Sequence, residues 1–103
     1  GESAPPDPVS PLAGKWVLWS NNDGPQTAVI LQHVPGAEDF IGWQEDTNEA
    51  CIGRLTPDGR IHWRLGRYRC EGEFDGPGKI MKDLNVTSDS GEWVACFTGY
   101  LEQ

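Results

Sequence analysis

The fifteen residues Cys51-Ile52-Gly53-Arg54-Leu55-Thr56-Pro57-Asp58-Gly59-Arg60-Ile61-His62-Trp63-Arg64-Leu65 decide the fold. Pro57 presets the φ angle of a type I turn, and Gly59 accepts the left-handed conformation that follows it. A three-residue loop with this bulge pairs Thr56 with Arg60. The register then sets Leu55 beside Ile61, Gly53 beside Trp63 and Cys51 beside Leu65, which makes one apolar face. The other face carries Arg54 beside His62 and Ile52 beside Arg64. A two-residue turn would shift the register and scatter the apolar side chains over both faces, so the longer loop is favoured.

Turn clusters recur at short intervals on either side of this hairpin: Asn21-Asn22-Asp23-Gly24-Pro25, Pro35-Gly36-Ala37, Glu45-Asp46-Thr47-Asn48, Asp75-Gly76-Pro77-Gly78 and Ser88-Asp89-Ser90-Gly91. The runs between them are rich in Val, Ile, Trp, Thr and Phe. They predict strands over 14–20, 26–34, 39–44, 50–56, 60–70, 79–87 and 91–102. Short connections favour pairing of sequential neighbours, antiparallel throughout. The fifth run contains Gly66, with Gly72 just beyond its end. A bend at either glycine yields an eighth strand running through Phe74. In the last strand, Trp93, Ala95, Phe97, Gly99 and Leu101 alternate with Glu92, Val94, Cys96, Thr98 and Tyr100. Glycines 42, 53 and 99 inside strands permit sharp coiling or make room for a Trp opposite. The expected fold class is all-β: a small antiparallel up-and-down barrel of seven to eight strands, whose closure removes the exposed edges. A Pro-rich lead-in over 1–11 is expected to be extended or disordered. The barrel is expected to occupy 12–103.

Leu12-Ala13-Gly14-Lys15-Trp16 opens the first strand. It resembles the Gly-x-Trp start of calycin-type barrels, the lipocalins and avidins. The resemblance implies a Trp packed across one barrel end and an interior that holds a small ligand. Lipocalins also carry a late-strand Arg over that Trp, and no Arg follows Arg69 here. Leu18 stands where avidins place a ligand-binding Asn, so the resemblance does not extend to biotin.

The net charge of −8 argues against nucleic acid as a partner. No run of about 18 apolar residues is present to form a membrane-spanning helix. The start at Gly1 without Met reads as a processed or trimmed chain, so a missing signal peptide carries no weight. The acidic, Pro-rich lead-in reads as a tether to something larger. Cys51, Cys70 and Cys96 make an odd count, which leans toward an intracellular compartment. The sequon Asn85-Val86-Thr87 leans toward a secretory one. The cysteines lack metal-ligand spacing, so no metal and no cofactor are expected. His33 and His62 lie in no recognised catalytic motif, and no nucleophile or phosphate-loop signature occurs.

These features predict a non-catalytic binding module and no enzyme. Arg54, His62 and Arg64 form an outward basic patch, and Trp19 and Tyr100 are outward aromatic anchors for another protein. One alternative is a carrier of a small apolar ligand, with Trp16, Trp43, Trp63 and Trp93 lining the barrel interior. Another is carbohydrate recognition through Trp19 or Tyr100.

Overall fold

A computed structural model describes residues 10–22, 24 and 26–102. Eight strands follow in order: β1 (Gly14–Ser20), β2 (Thr27–Gln32), β3 (Asp39–Gln44), β4 (Ala50–Leu55), β5 (Arg60–Leu65), β6 (Tyr68–Asp75), β7 (Ile80–Ser88) and β8 (Trp93–Leu101). Each pairs with its neighbour antiparallel, and β8 returns to β1 to close the barrel. The closing seam runs from Trp16 opposite Leu101 to Ser20 opposite Phe97.

The central hairpin has the expected register, from Cys51 opposite Leu65 to Leu55 opposite Ile61. Gly59 takes φ +85°. The Gly59 N–H donates to the Thr56 carbonyl at 3.0 Å, and the Thr56 N–H donates to the Arg60 carbonyl at 2.9 Å. The expected single run over 60–70 is two strands. Gly66 turns at φ +59°, and Leu65 faces Tyr68 across a two-residue Gly66-Arg67 loop. Glycine at the first central position suits a tight hairpin turn of the II′ kind.

Inward side chains fill one end of the barrel. Leu12, Trp16, Ile61 and Met81 are fully buried. The Trp16 indole N–H donates to the Leu12 carbonyl at 2.8 Å, and its ring meets Phe74 edge-on at 5.9 Å. Phe40 and Trp63 pack the same way at 6.3 Å. Burying such side chains contributes about 1.5–3 kcal/mol each. Gly53 makes this packing possible, but the ring it admits is that of Phe40 rather than that of the paired Trp63. A Cβ there would stand 2.3 Å from Phe40 and 2.4 Å from the His62 carbonyl.

Residues 1–9 of the expected lead-in lie outside the described residues. Its end is already part of the folded domain, because Ser10 is buried. The Ser10 hydroxyl is hydrogen-bonded to His33 Nδ1 and accepts the Leu12 N–H at 3.0 Å. His33 Nε2 donates to the Ala37 carbonyl at 2.6 Å. A carbonyl only accepts, so in the neutral ring the proton sits on Nε2 and Nδ1 accepts from Ser10.

Candidate functional site

Alternation along the strands turns one set of side chains outward on the wall from β3 to β8. Two rows cross this wall. In the first, Asp39 pairs with Arg54, Arg54 with His62, His62 with Glu71 and Glu71 with Asn85. In the second, Ile52 pairs with Arg64, Arg64 with Arg69, Arg69 with Thr87 and Thr87 with Trp93. A shallow depression of about 560 Å³ lies here, bounded by Arg54, His62, Arg64, Arg69 and Glu71. Its size is in the range of small-molecule sites.

The second row breaks a rule of sheet design. Arg64 and Arg69 are directly opposite, and like charges so placed repel. Arg64 reaches Asp89 at 2.8 Å, and its Nε donates to the Gly66 carbonyl at 3.3 Å. Arg67 and Arg69 have no acidic partner within ion-pair distance among the described residues. On a chain of net charge −8, this is a concentrated cationic spot with unused guanidinium donors. Arginine forks suit phosphate and carboxylate geometry. In the first row, Glu71 Oε1 stands 3.6 Å from His62 Nδ1, and Asp39 stands 3.5 Å from Arg54.

The structure brings Arg54, His62 and Arg64 together, as the hairpin register requires. It does not bring Trp19 and Tyr100 to them. Those two are half-exposed on β1 and β8, at the closing seam. Trp16 and Trp63 are interior, but two other tryptophans expected inside are not. Trp43 is on the outward face of β3, opposite Ile30 and Ala50. Trp93 is 55% exposed. The reason is a register shift between Val86 and Thr87 on β7. An extra residue on one strand reverses the alternation beyond it. Val94 consequently lines the barrel mouth, and the Trp93 indole N–H donates to Asn85 Oδ1 outside, at 3.2 Å. The mouth cavity holds about 240 Å³, and of the tryptophans only Trp63 lines it. The expectation of a hollow lined by several tryptophans is thereby corrected.

Burial pushes the Cys51 thiol up to about 11 and that of Cys70 up to about 12. Both stay protonated at neutral pH, so neither is a ready nucleophile there. Among the described residues, no group of three or more His, Cys, Asp or Glu side chains is placed to hold a metal ion.

Sequence reasoning passed over Arg69, Glu71, Asn85 and the outward turn of Trp93. The signal for the first two was Gly66. A two-residue turn at Gly66-Arg67 makes paired residue numbers sum to 133, which sets Arg69 against Arg64 and Glu71 against His62. The bulge that turns Trp93 outward has no comparable marker in the chain.

No family model matches this sequence, and no solved structure matches it. A curated protein from a Nocardioides species is 31% identical to it, over 85% of this chain and 76% of the relative. That relative is named phosphoribosyl-AMP cyclohydrolase. An enzyme so similar over most of the chain overturns the expectation of a non-catalytic binding module. It lends no support to the ligand-carrier or carbohydrate alternatives.

Proposed function

The chain belongs to the phosphoribosyl-AMP cyclohydrolase family, and from that premise we propose that it is a hydrolase that opens a ring of phosphoribosyl-AMP on the outward wall of β4–β6. A substrate with a phosphoribosyl group and a nucleoside monophosphate is strongly anionic. The observation that carries the reading is the direct Arg64–Arg69 opposition, in which Arg69 has no acidic partner among the described residues and which a phosphate would neutralise. Sites that violate local stability rules are where function is expected. Arg54, at the other end of the depression, is placed for a second anionic group.

His62 lies between these arginines. Glu71 Oε1 lies 3.6 Å from Nδ1, on the side of the ring away from Nε2. The opposite nitrogen, Nε2, then serves as the base. It takes a proton from water as the water oxygen bonds to a ring carbon. The ring carbon–nitrogen bond breaks, and the same proton passes from His62 to the departing nitrogen. Atoms and charge balance with water as the one co-reactant. Apo geometry of this kind is commonly loose and tightens around substrate.

The test is ring opening of phosphoribosyl-AMP followed by absorbance, comparing the unmodified protein with His62→Asn. Loss of the base lowers kcat by about 10²- to 10⁴-fold with little change in KM. The reading fails if the unmodified protein does not turn the substrate over, or if His62→Asn retains full kcat.

A further inference from the structure

Resting on the reading of this wall as a phosphate-binding hydrolase site, we infer that Trp93 is the platform on which the aromatic base of the nucleotide stacks. Three observations converge on it. Trp93 is 55% exposed although its type is among the most costly to leave in water. It ends the row that contains Arg64 and Arg69, separated from Arg69 by Thr87 alone. Two strand spacings of about 4.8 Å each place its backbone roughly 10 Å from that of Arg69. Its ring is also pinned. The indole N–H donates to Asn85 Oδ1 at 3.2 Å, and Asn85 carries the row of His62 and Glu71 onto β7. The indole therefore bridges from the phosphate-binding row to the row that holds the base catalyst. A bound nucleotide would lay its phosphate on Arg64 and Arg69 and its base against Trp93. A pinned ring loses little freedom when a base stacks on it, which favours binding.

Titration calorimetry with AMP and with ribose 5-phosphate separates the two ends of the ligand. Both are used as binding ligands, and ribose 5-phosphate has no base. Trp93→Ala is expected to weaken AMP by about 5- to 150-fold and to leave ribose 5-phosphate unchanged. Trp93→Phe, which keeps an aromatic face, is expected to restore most of the AMP affinity. Arg69→Ala weakens both ligands. Equal AMP affinity in Trp93→Ala and the unmodified protein, with ribose 5-phosphate still bound, overturns the stacking role and leaves the phosphate reading intact. If the unmodified protein binds neither ligand, both fall. Trp93 lies on the surface, so its replacement leaves the core untouched.

Discussion

Arg64→Glu separates function from stability at one position. In the folded protein Arg64 makes one exposed ion pair with Asp89, at 2.8 Å. Such pairs are worth about 0.2–1 kcal/mol. Arg64 also faces Arg69 directly, a repulsion of similar size and opposite sign. Removing both interactions nearly cancels. Glutamate gains Arg69 as a partner and loses Asp89 to repulsion. The net change in stability is expected within about 1 kcal/mol, which is a Tm shift below roughly 8 °C for a domain of this size. Phosphate binding changes far more. A charge-assisted hydrogen bond to phosphate is worth about 1.5–3 kcal/mol, or roughly 10- to 150-fold in affinity. A carboxylate near 4 Å from the phosphate adds about 1 kcal/mol of repulsion even in water. KM for phosphoribosyl-AMP should therefore rise at least tenfold while the Tm stays within roughly 8 °C of the unmodified protein's. Steady-state kinetics and a thermal melt on the same preparation measure both. A folded Arg64→Glu protein with unchanged kcat/KM would refute the assignment of phosphate to this wall.

Two further outcomes follow from the core. Gly53→Ala drives a methyl into Phe40 and into the His62 carbonyl, and overpacking of this kind costs about 1–3 kcal/mol; because one contact is backbone, Phe40→Leu should recover only part of that loss in a urea titration. The thiols of Cys51 and Cys70 hold their protons more tightly when folded, up to about 11 and about 12, than at their ordinary value of 9.0. The stability they contribute is complete below pH 9 and is lost as pH rises through those values. Urea midpoints should fall steeply between pH 9 and 11, and Cys51→Val together with Cys70→Val should flatten that slope; an equally steep fall in the double variant would contradict the assignment.

The central hairpin was legible because its information is local. Pro57 and Gly59 fix the loop, and the loop fixes every pair from Cys51–Leu65 to Leu55–Ile61. That alone puts Arg54, His62 and Arg64 on one outward face. The same local rule, applied at Gly66, carries the register on to Arg69 and Glu71. The lead-in boundary was less legible. Ser10 is buried by a hydrogen bond to His33, 23 positions away, and a composition rule does not see such a partner.

Alternating polarity and closely spaced turn residues were enough to determine an all-β meander able to close on itself, because strand period and turn chemistry act over a few residues. Tertiary structure alone decided which side Trp93 takes. One register shift between β7 and β8 reverses the alternation, and that shift is a compromise among neighbouring strands that no single segment encodes. The site follows the same division: each basic residue is readable by itself, but the row from Arg64 through Arg69 and Thr87 to Trp93 exists only where four strands lie side by side.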